Sequence, residues 1–297
     1  MRRLLFCLLV SFAAPAAFAA EGAPADHPAL ALLDRYHTVN RKAKVGVSPY
    51  IINVLAMAQM KIKGDVSLVL PYMEWYVSRL AYPDRYGLTG TIYDIEISPD
   101  GTERKLLTYD SADSYSATFL MVVREYVRLT GDKAFPLKYA AKLKDVAYNM
   151  AYLQDSDGLT WAKPLRQAKY LMDNCEVYGG LNAYIELAQI CGWDSAYYEV
   201  VRKGLLIGLE KSLYDADKGV FHWAIDRLKK YPSDWTRFYP DGLAQMFPAL
   251  YELPFLTVEA RKALWNRFLK EHGERIKGAS YEQRAIYMMT RAKMESE

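Results

Sequence analysis

Four stretches of this chain open in the same way, and their spacing limits the folds open to it. Helices of one kind begin near residues 48, 110, 173 and 240, at steps of about 62 to 67 residues, and a further one begins near 280 after a shorter step. The clearest runs from Thr108 to Asp132. Tyr109, Asp110 and Asp113 stand at its start, and apolar side chains then return at helical spacing (Ala112, Tyr115, Phe119, Leu120, Val123, Tyr126, Val127). Gly131 stops it, and Asp132 can cap the next helix at once. Each of the first four is followed by a partner helix, entered at Gly64-Asp65, Gly131-Asp132, Gly192-Trp193-Asp194 or Leu253-Pro254. Longer loops rich in glycine and aromatics lead back to the next start. Tight turns at one end and long loops at the other describe αα-hairpins. Packed in a ring, the first helix of each pair would form an inner wall, with every start on one face beside the long loops, where a rigid scaffold usually carries its site.

One segment breaks the pattern. Thr91 to Ser98 alternates as a strand does, Pro99-Asp100-Gly101 is a turn signal, and Arg104 to Leu107 can return, which predicts a small β-hairpin near residues 91–107. Its far end delivers the chain to Tyr109-Asp110. The glycine-aromatic stretches Asp155–Trp161 and Asp217–Trp223 read as loops. At the amino end, Arg2 and Arg3 precede an apolar run too short to span a bilayer comfortably, and Ala17-Phe18-Ala19 fits a small-x-small cleavage site. The expectation is a signal peptide over residues 1–19, cut after Ala19, and a single domain over residues 20–297 in the periplasm or secreted; the alternative is a retained membrane anchor. With Arg2 and Arg3 removed from the 38 basic residues, the chain comes within one charge of its 35 acidic ones. That balance gives no reason to expect nucleic acid or an anionic membrane as partner. Cys175 and Cys191 fall 16 residues apart on one helix, roughly 24 Å, so two free thiols are expected.

The signatures of serine-elbow hydrolases, P-loops, dinucleotide folds, zinc peptidases, C-x-x-C sites and full EF-hands are absent, and the four histidines are scattered. Asp155-Ser156-Asp157-Gly158 begins like a calcium loop but lacks the rest. No metal or cofactor is expected. Acids remain: Asp110 and Asp113 at one helix start, Asp173 and Glu176 at the next, Asp241 at the third and Glu282 at the last. Acids at helix starts also serve as caps, and Asp-x-x-Asp or Asp-x-x-Glu fits a capping box. Capping needs no aromatic neighbours, however, and these acids have Tyr109, Tyr115, Trp161, Tyr170, Tyr178, Trp235 and Tyr239 close in sequence. The excess of tyrosine over phenylalanine, 24 against 10, suits a wet groove with apolar walls. Paired carboxylates between aromatic platforms are what glycoside hydrolysis requires: one protonates the leaving oxygen, the other activates water or stabilises the cation-like sugar.

The segment Tyr109-Asp110-Ser111-Ala112-Asp113-Ser114, with Tyr126 and Leu129-Thr130-Gly131-Asp132, resembles the six-hairpin glycosidases, the (α/α) toroids of the glucoamylase, trehalase and debranching-enzyme type. Asp157-Gly158-Leu159, Met172-Asp173 and Asn182-Ala183-Tyr184 are similar to the stretch that follows in that family, so the resemblance covers about residues 109–192. It implies an all-α (α/α) barrel of about five to six helical hairpins. It also implies a glycoside hydrolase of inverting acid/base type acting on a polysaccharide or oligosaccharide. Asp173 is the implied general acid, although Met172 precedes it where the family usually has a nearby tryptophan. Asp110, Glu176 and Glu282 are the candidates for the base. Asp113 and Asp241 would bind hydroxyl groups, and Tyr109, Trp161, Tyr170, Tyr178, Trp235 and Tyr239 would hold sugar rings. A non-catalytic glycan-binding or scaffold protein of exopolysaccharide export, and a polysaccharide lyase on the same toroid, stay open as alternatives.

Overall fold

The computed structural model of this protein describes residues 27–165, 168–227 and 229–297; the segment read as a signal peptide lies outside the described residues. Eleven α-helices are found among them, in the order α1 (Pro28–Asp34), α2 (Pro49–Lys63), α3 (Val69–Arg79), α4 (Ala112–Thr130), α5 (Ala134–Lys138), α6 (Ala140–Tyr152), α7 (Leu171–Cys191), α8 (Ala196–Gly208), α9 (Phe247–Leu250), α10 (Val258–His272) and α11 (Tyr281–Ser296). No described helix is long and apolar enough to cross a membrane. One hydrophobic core runs through the described chain, from Ala29 to Met294.

The expected starts near 48, 110, 173 and 280 are the starts of α2, α4, α7 and α11. These helices pack in a closed succession: α2 on α4, α4 on α7, α7 on α9, α9 on α11 and α11 back on α2. With neighbours on both sides, α4 and α7 are buried over most of their circumference, whereas α11 keeps an exposed face. Every residue from 112 to 123 of α4 is buried, polar ones included. Those polar groups find partners. Asn53 of α2 donates to the Thr118 hydroxyl at 3.0 Å and accepts from the Tyr72 hydroxyl of α3 at 2.7 Å. α4 pairs with α6, α7 with α8 and α9 with α10. α2, α4 and α7 each end on a glycine at positive φ (Gly64 +64°, Gly131 +71°, Gly192 +73°), the left-handed conformation that lets the last turn close on its own carbonyl.

The expected hairpin is present. Strand β2 (Ile95–Ile97) pairs antiparallel with β3 (Glu103–Lys105), and β1 (Val45–Val47) adds a third strand on the other side of β2. Glu103 fastens this sheet to α3. Its carboxylate accepts from Arg79 Nε at 2.8 Å, Arg79 NH2 at 2.9 Å and Trp75 Nε1 at 2.8 Å, with His27 Nε2 3.0 Å away. Despite partial burial, these donors hold its pKa down at about 2. Glu103→Ala removes the shared acceptor and leaves these donors unpaired, which should destabilise the protein by about 1–3 kcal/mol, readable as a lower urea midpoint. A folded-state pKa below the unfolded one adds stability above the ordinary Glu range that is lost as pH falls toward 2. The Glu103→Ala deficit should therefore be larger at pH 7 than at pH 2.5.

The fold is mostly helical, as expected, but carries more strand than the single hairpin foreseen from the sequence. A second sheet joins β4 (Ala168–Tyr170), β5 (Tyr214–Asp215), β6 (Val220–Asp226) and β7 (Lys229–Pro232), with β6 central. The stretch Asp217–Trp223, read as a loop, contains the start of β6. The helix expected from Tyr239 is also shorter. Phe238–Gly242 makes a single wide turn, and α9 begins only at Phe247, with Pro248 in its first turn.

Candidate active site

Side chains from the starts of four helices, with the Tyr239 segment and Phe247 of α9, border one cavity of about 410 Å³. Ser48 and Tyr50 come from α2, Asp110 and Ser111 from α4, Met172 and Asp173 from α7, and Glu282 and Gln283 from α11, while Leu243 and Phe247 close another side. A second lobe of about 310 Å³ shares Asp110, Met172, Asp173 and Tyr239 with the first and adds Tyr170, Trp223 and Pro240. Of the residues singled out in the sequence, Asp110, Asp173, Glu282, Tyr115, Tyr170 and Tyr239 come together here.

The starts of α2 and α4 are tied to neighbouring elements rather than capped by their own N-cap side chains. Ser111 is the N-cap of α4, but its hydroxyl makes no cap; it donates to Asp173 Oδ2 of α7 at 2.8 Å. Ser48 is the N-cap of α2 and likewise makes no cap. Its hydroxyl lies 2.8 Å from the Tyr115 hydroxyl, which also donates to Asp94 Oδ1 at 2.9 Å and accepts from the Asp110 N–H at 3.4 Å. α11 is capped by Ser280 with Gln283, which leaves Glu282 out of the capping box. The acids at the cavity stand at helix ends whose exposed N–H groups favour negative charge.

The other acids lie behind the wall. Asp113 is fully buried; it accepts from the Thr160 hydroxyl at 2.7 Å and the Ser114 N–H at 2.8 Å, and borders neither lobe. Burial raises its pKa to about 7. Glu176 is buried one turn below Asp173, and Oε1 accepts from the Tyr50 hydroxyl at 2.8 Å. Burial first, and then the neighbouring Asp173, push its carboxyl well above the usual range. Asp241 is buried and accepts from the Asp234 N–H at 2.8 Å.

Four of the aromatic candidates are likewise engaged elsewhere. The buried Tyr109 donates to Asp84 Oδ2 at 2.7 Å. Trp161 carries the Lys169 ammonium 4.1 Å above its ring, and that ammonium is gripped by Asp155 and Asp157, so the calcium-like stretch holds a lysine. Tyr178 packs on the core, and Trp235 lies under the Arg267 guanidinium at 4.3 Å. Cys175 and Cys191 are both free. The sequence reading passed over Tyr50, Ser111 and Trp223 as site residues. The first two stand beside residues it did name, and Trp223 was visible only as an aromatic in a presumed loop.

Asp113 makes stability depend on pH. Between about pH 4 and 7 the folded chain holds a proton that the unfolded chain has released, so this group's contribution falls as pH rises through that window and levels off above it. Asp113→Asn keeps an acceptor for Thr160 or for Ser114 and cannot ionise. It should flatten that decline, gaining roughly 1–4 kcal/mol over the parent at pH 7.5 and almost nothing at pH 4, as chemical denaturation at the two pH values would read.

No protein-family model matches the chain, and no curated protein does. Solved structures resemble it. A rhamnosidase from Klebsiella oxytoca with rhamnose bound aligns over 82% of this chain and 46% of its own, at 14% identity and a TM-score of 0.55. The family GH78 rhamnosidase of Bacillus sp. GL1 aligns over 84% and 26%, at 13% identity and 0.54. Cellobiose 2-epimerase from Bacillus thermoamylovorans B4167 aligns over 76% and 61%, at 9% identity and 0.52. The chain spans less than half the length of either rhamnosidase and under two thirds of the epimerase. At these identities the likeness is one of fold, to enzymes of (α/α)-toroid, glycosidase-like architecture.

Proposed function

We propose that this chain is a secreted or periplasmic carbohydrate-active protein, built as a short (α/α) barrel, that hydrolyses glycosidic bonds of a polysaccharide or oligosaccharide. One observation carries the reading: acids at three helix starts far apart in sequence, Asp110, Asp173 and Glu282, border a single cavity beside the exposed ring of Tyr239. Asp173 is assigned as general acid. It gives its proton to the glycosidic oxygen as the bond from that oxygen to the anomeric carbon breaks. Asp110 or Glu282 takes a proton from the water whose oxygen bonds to the same carbon. Tyr170 and Tyr239 offer ring faces to the sugar. Glu176, Asp113 and Asp241 are assigned no contact with substrate.

A second reading is glycan binding without turnover, which needs only the cavity and its aromatic rings and no proton transfer. The test is a panel of neutral, acidic and amino polysaccharides, scored both for new reducing ends and for binding by calorimetry. New reducing ends that disappear in Asp173→Asn support hydrolysis. Binding without turnover supports the second reading, and neither with any saccharide removes both.

A further inference from the structure

Trp223 reaches the cavity through an irregularity in its strand. In β6, Phe221 is fully buried, and an unbroken strand would put Trp223, two residues on, on the same face. The pairing with β7 slips there: His222 lies opposite Pro232, while Ala224 lies opposite Tyr231, so Trp223 is the extra residue of a β-bulge. Ala224, 2% exposed, takes the core-facing position instead. Bulges re-aim side chains in this way and gather beside functional sites. The indole so released borders the second lobe. It lies nearly parallel to the Tyr170 ring, 8° between planes and 6.2 Å between centroids, and is backed by Tyr231 at 5.4 Å. Both flanking rings are on strands hydrogen-bonded to β6, so the indole is held on a rigid sheet and not on a loop.

We propose that Trp223 builds a second saccharide subsite, outside the ring of helix starts, that holds the sugar unit next to the one seated in the first lobe. The inference rests on the saccharide reading above. The two lobes meet at Asp110 and Asp173, so a disaccharide spanning them places its linkage beside those carboxyl groups. The first lobe has its own polar lining from the helix starts and does not include Trp223. Loss of the indole should therefore weaken the grip on the second unit and leave the first alone.

The test compares a monosaccharide with its disaccharide, using rhamnose with rhamnobiose and glucose with cellobiose, by calorimetry on the full chain. Wild type should bind the better disaccharide about tenfold more tightly than its monosaccharide, as about 1.4 kcal/mol of stacking would give. Trp223→Ala should lose that gain while binding the monosaccharide unchanged, which also shows that the variant is folded. Trp223→Phe should recover part of it. Equal losses for both sugars, or a chain-length gain that survives Trp223→Ala, would overturn the subsite and leave the carbohydrate reading standing. Failure of wild type to bind any of the four sugars overturns the subsite; the polysaccharide panel then decides the carbohydrate reading separately.

Discussion

Replacing Asp173 with asparagine is expected to lower hydrolysis of the best saccharide by about 10²- to 10⁴-fold with little change in melting temperature. The Ser111 hydroxyl, which donates to Asp173 Oδ2, can donate equally to an asparagine oxygen, so the tie between α4 and α7 survives. What disappears is the proton that a leaving oxygen must receive. Glu176→Gln is the matching control. Glu176 is already biased toward its neutral form by burial, and a glutamine oxygen can still accept from Tyr50. It borders neither lobe, so turnover should stay within about threefold of wild type, well short of a lost acid–base group. The reverse pattern, with Glu176→Gln inactive and Asp173→Asn active, would put the acid one turn deeper than the geometry allows. Stereochemistry of the product would then show whether a water reaches the sugar from the side of Asp110 or Glu282, since inversion requires that room.

The contrast between Asp173 and Glu176 also shows where sequence reasoning stops. Both acids, like Asp110 and Asp113, are legible by their position at helix starts, which Ser48-Pro49 and Ser280 mark elsewhere in the chain and the acids themselves mark here. Glu176 follows Asp173 by three residues within α7, about 4.5 Å farther down the helix axis, and Asp113 lies inside α4 while Asp110 precedes it. For helices buried over most of their circumference that step separates a group at the cavity from one in the wall, and no local pattern records it. The aromatics fail for a related reason. Tyr109 and Tyr115 look alike in sequence, yet Tyr109 is locked on Asp84, while the Tyr115 hydroxyl joins α2, α4 and the hairpin sheet beside the cavity. The hairpin near 95–105 was legible from its Pro-Asp-Gly turn and its alternation. Strand β6 was not, because the bulge at Trp223 breaks the alternation that would have announced it.

Gly180→Ala is expected to cost about 1–3 kcal/mol of stability and to depress turnover as well, although alanine is the better helix former. Gly180 lies in the middle of α7, and a Cβ there would come within 2.5 Å of Ala117 Cα and 2.6 Å of its Cβ on α4. The obstacle is backbone, so no side-chain rotation relieves it and the two helices must separate. Gly179 provides the comparison. Its Cβ would meet the Met121 sulfur at 2.6 Å and the Tyr251 ring at 2.7 Å, groups at the ends of side chains that can shift, so Gly179→Ala should cost less. Separation of α4 from α7 matters at the cavity because the two helices carry Ser111 and Asp173, joined at 2.8 Å, and Asp110 precedes Ser111. A displacement of about 1 Å between catalytic groups can lower a rate by about 10²-fold. Thermal melting should therefore rank wild type above Gly179→Ala above Gly180→Ala, and turnover should fall in the same order. A Gly180→Ala protein that melts with wild type and keeps its rate would mean that this close approach does not set the spacing of the acids.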